Sequence, residues 1–263
     1  MSVARHRRPL DTLLPGLGIK DVPYRARYLV NAYPAPYRLL CQWRHRGHAD
    51  HIVTRDTELV IEGFGRAANT FAWLAFRSAQ PRPVRLAHHT HAAAQVITAV
   101  RWHIPALVIV RSPDDSALAH MVLRGVSART ALTAWIRYHR RIMTVRHGFV
   151  AASFDEVTHD FGTVVHRVNA AFGTSFGVFE HTAENQARVF AAISERNRER
   201  FGDEMTPQRA LWLARPTGER RALKDQRREE LNARDVARLR ARAGELHRAA
   251  LSTGSDRAPP PTT

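Results

Sequence analysis

The stretch TELVIEGF, residues 57–64, is a short apolar run that ends in a glycine turn. Two further runs follow, PVRLAHH over 83–89 and PALVIVRSP over 105–113. The last is continuously apolar through its middle, as in a strand buried on both faces of a parallel sheet. Between the runs lie NTFAWLAFRSA and AAAQVITAVRW, both with helical patterns. GFVAASFDEVTHD (148–160) reads as a fourth strand and the acidic start of a helix. FGTVVHRVNAAFG continues that helix to a stop near Gly173. Asp155 and Glu156 sit at the helix start, where the dipole favours negative charge. Strand–helix alternation of this kind predicts an α/β fold: a parallel sheet with right-handed crossovers, flanked by helices.

The flanks are patterned differently. Residues 1–22 are basic and proline-punctuated, an expected N-terminal extension, followed by an α/β domain over 23–251. The segment YRARYLVNAYPAPYRLLCQWRHRG predicts one or two short helices broken by Pro34 and Pro36. Its Tyr24, Tyr28, Tyr33, Tyr37 and Trp43 suit either core packing or an acceptor pocket, and a basic, aromatic membrane-surface helix is the sharper alternative. Near the C-terminus, Leu231, Val236, Leu239, Ala243 and Leu246 predict one amphipathic helix with a solvated charged face. Residues 252–263 are a disordered tail by composition.

Composition narrows the partner. The formal net charge is +16, and all the lysine is Lys20 and Lys224; the rest is arginine. Such a balance favours an anion: a nucleotide, a nucleic acid or an acidic membrane surface. Charge alone allows nucleic acid, but no recognition motif supports it. Cys41 is the single cysteine, which excludes an internal disulfide and a zinc site built on thiolates. No apolar run reaches the length of a bilayer span and no signal-peptide core follows the basic N-terminus, so the expected location is the cytoplasm.

The chemistry begins at Gly63. A nucleotide-kinase loop reads G-x-x-x-x-G-K-[ST]. Gly63 and Thr70 fit its ends, but Ala68 replaces the second glycine and Asn69 the lysine. The cation that reaches terminal phosphates in an ATPase is therefore missing. Backbone donors and a helix N-terminus remain, and Arg66 supplies charge from within the loop. Gly63 and Gly65 are placed where a sharp backbone bend is expected.

The segment GRAANTF resembles the 5′-phosphosulfate loop of the sulfotransferase family, P-[KR]-S-[GA]-x-T-[FWL], which sits in a P-loop-type strand–loop–helix. Arg66 matches the basic residue, Asn69 and Thr70 the phosphate-contacting polar groups, and Phe71 the aromatic. Gly65 stands for the family's proline, and Ala67 for its serine, which removes one hydroxyl donor. A second block, VIVRSPDDSALAHM, resembles the 3′-phosphate segment R-[ND]-P-x-D through Arg111, Pro113 and Asp115. Ala119 stands where the family has a serine, and Ser116 lies on another side of the helix. In a third block, RLAHHTHAAAQVI, His91 falls at the position of the family's catalytic histidine, with His89 as the alternative. Three histidines in four residues also suit a metal, but no carboxylate or cysteine accompanies them in sequence, and none is assigned. A late segment, ARPTGERRALKD, resembles the P-[ST]-x-x-R closure through Pro216, Thr217 and Arg220. Read alone, the loop equally suits an ordinary glycine turn, Arg111 a strand-end ion pair, and the late segment a charged loop leading into a helix.

The resemblance implies a sulfotransferase. Its donor would be 3′-phosphoadenosine 5′-phosphosulfate, and its acceptor a small-molecule or glycan alcohol or amine. It further implies that His91 or His89 is the base, that Arg66 steadies the leaving phosphate, that Gly63, Gly65, Ala67, Ala68, Asn69 and Thr70 cradle the 5′ end, that Arg111 and Arg220 hold the nucleotide, and that no metal is required. Two alternatives share the fold: a small-molecule kinase, which Asn69 disfavours, and a weakened nucleotide-binding relative, because Ala67 and Ala119 each remove a hydroxyl. Each such loss costs about 1.5–3 kcal/mol.

Overall fold

A computed structural model of the chain describes residues 21–44, 51–202, 206, 211–212 and 218–252. The expected N-terminal extension up to residue 20 and the tail from 253 lie outside these residues, as do Pro216 and Thr217. Four parallel strands form one sheet: β1 (Leu59–Gly63), β2 (Leu86–His88), β3 (Ala106–Val110) and β4 (Val150–Ser153). Their order is β2-β1-β3-β4. The α/β class with a parallel sheet between helices is therefore the architecture observed.

Alternation explains the two layers of core. Val60, Val108 and Val110 face one side and pack with Leu118, Leu132, Trp135 and Tyr138. Leu59, Ile61, Leu107 and Ile109 face the other and pack with Phe71, Phe76, Phe161 and Val165. The helices around the sheet include α3 (Asn69–Ala79), α4 (Ala93–Arg101), α5 (Pro113–Arg124), α6 (Ala128–Met143), the short α7 (Phe154–His159), α8 (Phe161–Phe172) and α9 (Ala183–Phe201). Both faces of β1 and β3 are buried, which is why β3 reads as an unbroken apolar run and β1 as one interrupted only by Glu62.

Several sequence expectations change. The helix expected across Leu231–Leu246 is two: α10 (Gly218–Asn232) and α11 (Ala237–Ser252), joined through a 3₁₀ turn at Arg234–Val236. The break falls at the five-residue step between Leu231 and Val236, which no helical face accommodates. The helix expected through 154–172 likewise divides into α7 and α8, because Asp160 takes an extended φ of −151° and caps α8 through Thr163. At the N-terminus, α1 (Asp21–Val30) and α2 (Pro34–Arg44) are separate helices, and Pro34 opens the second rather than breaking the first. Asp21 belongs to the folded unit: its Oδ1 accepts from the Ser127 amide and hydroxyl at 3.1 and 3.2 Å. No helix among the described residues is long and apolar enough to cross a membrane.

The topology fixes where a ligand fits. After β1 the chain crosses to β2 on one side, then returns to β3 on the other. The connections leaving β1 and β3 therefore diverge and open a crevice at their carboxyl ends. Gly63 pairs with Ile109 at that edge. A Cβ on Gly63 would lie 2.6 Å from the Ile109 carbonyl oxygen and 3.0 Å from Asn69 Oδ1. Gly63→Ala is expected to push β1 from β3 and destabilise the fold by about 1–3 kcal/mol, read from denaturant midpoints. An unchanged midpoint would mean the strands separate freely there.

Candidate active site

The loop from Phe64 to Ala68 joins β1 to α3. Its bend is not carried by its glycines, contrary to the sequence expectation. Arg66 and Ala68 take the left-handed conformation, at φ 70° and 67°, while Gly63 and Gly65 do not. The glycines serve close approach instead: a Cβ on Gly65 would stand 2.7 Å from His120 Nε2. Left-handed non-glycine residues cost about 1–3 kcal/mol each, so the surroundings must hold them. Arg111 does part of this, donating from Nη1 to the Arg66 carbonyl at 2.9 Å. His120 does the rest, from α5. Its Nε2 faces the Gly65 carbonyl at 3.1 Å and therefore carries the proton, and its Nδ1 accepts from the Tyr24 hydroxyl at 2.8 Å. Tyr28 packs on Phe64, with ring centroids 5.1 Å apart. Tyr24, Tyr28 and Tyr37 are thus buried, and Tyr33 is exposed; the Trp43 side chain lies outside the described residues.

The helix that follows is left open at its start. Helices α5 to α9 begin with side-chain caps from Ser112, Ser127, Ser153, Asp160 and Thr182. Helix α3 has Ala68 at that position, no side-chain cap and no acidic residue in its first turn. Its first amides and the positive end of its dipole face the crevice, the usual conditions for an anion. Asn69 is buried and reaches back toward the Gly63 and Phe64 carbonyls, at 3.5 and 3.3 Å, which braces the turn from beneath. Thr70 is half-exposed, and its hydroxyl meets His89 Nε2 at 3.0 Å. Ala67 is wholly buried, and its amide donates to the Phe64 carbonyl.

Cations converge on the same place from distant parts of the chain. Burial, with Arg220 and Arg111 nearby, pushes the Arg66 pKa down to about 10. Arg111 follows β3, stacks over the Phe154 ring at 4.2 Å and meets Asp115 only loosely, at 3.9 Å. Arg220 and Lys224 come one turn apart on α10, a spacing that places them on one side of the helix. Burial first, then the charge of Arg111, and further Arg66 and Arg220, lower Lys224 to about 8. Lys224, one of the two lysines in the sequence, lies in the late segment four residues past Arg220. Ala119 is buried, and Ser116 is wholly buried with an Oγ that has no hydrogen-bond partner among the described residues.

The histidines follow β2, which ends at His88. His89 and His91 both take left-handed φ values, 62° and 55°, so they do not continue a strand face. Glu62, the penultimate residue of β1, holds this turn. It accepts from the Thr90 amide at 2.9 Å, the Thr90 hydroxyl at 2.7 Å and the His91 amide at 3.0 Å. Full burial raises it to about 7 in spite of those bonds. The sequence hid this carboxylate because it sits inside an apolar strand, 28 residues from Thr90. His91 Nδ1 faces the Gly63 carbonyl at 3.0 Å. A carbonyl only accepts, so Nδ1 holds the proton and Nε2 presents a lone pair. Burial lowers His91 to about 4, which keeps it neutral near pH 7. His89 is committed on both nitrogens, to Thr70 and to His88 Nδ1. His88 stacks on Trp73 at 4.6 Å. Among the described residues no group of three or more His, Cys, Asp or Glu side chains is placed to hold a metal ion.

No protein-family model matches the chain, and no curated protein matches it. Among solved structures it is similar to the crystal structure of mouse sulfotransferase SULT7A1 complexed with PAP, at 13% identity and a TM-score of 0.38, over 76% of this chain and 92% of that one.

Proposed function

We propose that the chain moves a sulfuryl group from 3′-phosphoadenosine 5′-phosphosulfate to an alcohol or amine acceptor by direct in-line transfer. The observation that carries this reading is the pairing of two features at one crevice. One is an uncapped helix N-terminus ringed by Arg66, Arg111, Arg220 and Lys224. The other is a neutral histidine, His91, whose Nδ1 is tied to the loop that starts the ring. A donor with separate 5′ and 3′ anionic groups suits a field of several cations better than a single phosphate does. A kinase reading lacks the loop lysine, whose place Asn69 holds.

In this reading His91 Nε2 takes the acceptor's proton as the acceptor oxygen or nitrogen bonds to sulfur. The bond between sulfur and the bridging oxygen of the 5′-phosphate breaks at the same time. Arg66 and the first amides of α3 meet the charge left on that phosphate. Thr70 adds a hydroxyl at the same end. Arg111, Arg220 and Lys224 hold the 3′-phosphate side, which compensates for the hydroxyls missing at Ala67 and Ala119.

His91→Ala and His89→Ala separate the base from its neighbour. His91→Ala is expected to slow sulfuryl transfer by about 10²–10⁴-fold while leaving nucleotide binding near its original strength. His89→Ala removes a neighbour of Thr70 and is expected to cost far less. Transfer from labelled donor to a panel of phenols, amines and sugars reads both. An equal loss in His89→Ala would move the base to His89, and full activity in both would overturn the mechanism.

A further inference from the structure

We propose that the outer side of α1 and α2 docks on an anionic lipid surface. The exposed large apolar side chains of the described residues are Val22, Leu29, Tyr33, Leu39 and Leu40, and all five fall between Val22 and Leu40. Leu39 is 72% exposed and Val22 57%. Elsewhere among the described residues, large apolar side chains are buried or half-buried.

Helix α1 is apolar on two sides. Tyr24 and Tyr28, four residues apart, point into the core and touch each other, Phe64 and His120. Val22, Ala26 and Leu29 follow one another at four and three residues and form an exposed stripe. A helix hydrophobic on both sides is ordinarily buried on both. The core covers one side of α1, and no described residue buries the other.

Charge selects the occupant. Residues 22–44 contain Arg25, Arg27, Arg38 and Arg44 and no aspartate or glutamate. The acid at the start of α1, Asp21, is buried against Ser127. Arg141 adds a guanidinium over the Tyr33 ring, at 4.5 Å. Aliphatic residues among arginines, without acids, match a helix lying in the headgroup region of an acidic bilayer. The helices are also well anchored from within: Ala94 donates its amide to the Asn31 carbonyl, and Arg141 Nε to the Ala32 carbonyl. The face can therefore press on a surface without unfolding. The docking is independent of the chemistry assigned to the loop.

The test is sedimentation of the full chain with vesicles of phosphatidylcholine alone and of phosphatidylcholine mixed with phosphatidylglycerol, at physiological salt. The wild-type chain is expected to bind the mixed vesicles and not the neutral ones. A triple variant, Leu29→Ser with Leu39→Ser and Leu40→Ser, keeps every charge and alters only exposed positions. It should weaken binding by about tenfold or more, with an unchanged thermal transition. Equal binding by the triple variant would reduce the effect to general attraction by a basic protein and overturn the proposal. So would no binding at all, or a wild-type dimer that the triple variant dissolves, which would make the face a contact between copies.

Discussion

Alanine in place of Arg66 is expected to abolish measurable turnover, with a loss of about 10³-fold or more in kcat. The size follows from where the side chain sits. Arg66 lies inside the loop, partly buried, where a charge opposite a developing anion is poorly screened. The substitution is also a clean one. Arg111 grips the backbone carbonyl of Arg66, not its side chain, so the left-handed turn keeps its brace. Arg111→Ala would not discriminate in this way, because it removes a cation and the brace together. Stopped assays with labelled donor, alongside a thermal melt of the variant, check the expectation. Activity surviving in a folded Arg66→Ala protein would mean that the loop is not the transfer site.

Acid should destabilise this protein through its buried histidines. His88, His120 and His139 are lowered to about 3, His91 to about 4, and His89 is also lowered, each chiefly by burial. In the unfolded chain all five return toward 6.5. Below that value the unfolded state binds protons that the folded state refuses, so stability falls as pH falls from about 6.5 toward 4. Glu62 acts in the opposite sense. Its folded value, about 7, exceeds the unfolded 4.5, so it disfavours the folded state as pH rises through that interval. Each independent group contributes roughly 1.4 kcal/mol per pH unit. With three of the five histidines acting independently and Glu62 opposing, the net slope is about 3 kcal/mol per unit. Urea midpoints at pH 7.5, 6.5, 5.5 and 5 should drop steeply over the lower steps. A flat profile would mean that these histidines are not held neutral in the fold.

Much of the layout could be read from the sequence. Segment NTFAWLAFRSA is α3 to the residue, because its apolar face and the flanking breakers agree. The apolar core of PALVIVRSP is β3, and Arg111 follows at its carboxyl end as expected. The cradle was less legible, for physical reasons. Which loop residues turn left-handed depends on what holds them: His120 reaches Gly65 across 55 residues, and that distance leaves no local pattern. Glu62 looks like a stray acid in an apolar strand until Thr90 and His91 are brought beside it. Asn69 invited a phosphate contact by its position, yet its amide group faces the carbonyls at the end of β1. The late segment pointed to Arg220, but what brings Arg220 and Lys224 to Arg66 is the packing of α10 against α5, and tertiary packing of a polar helix has no short-range signature.

The most direct test of the central claim is calorimetric titration with 3′-phosphoadenosine 5′-phosphate, with and without Mg²⁺, beside 5′-AMP and ATP. The cation ring formed by Arg66, Arg111, Arg220 and Lys224 predicts micromolar binding that is indifferent to Mg²⁺ and lost when the 3′-phosphate is absent. Binding of Mg²⁺-ATP in preference, or of none of these nucleotides, would contradict it.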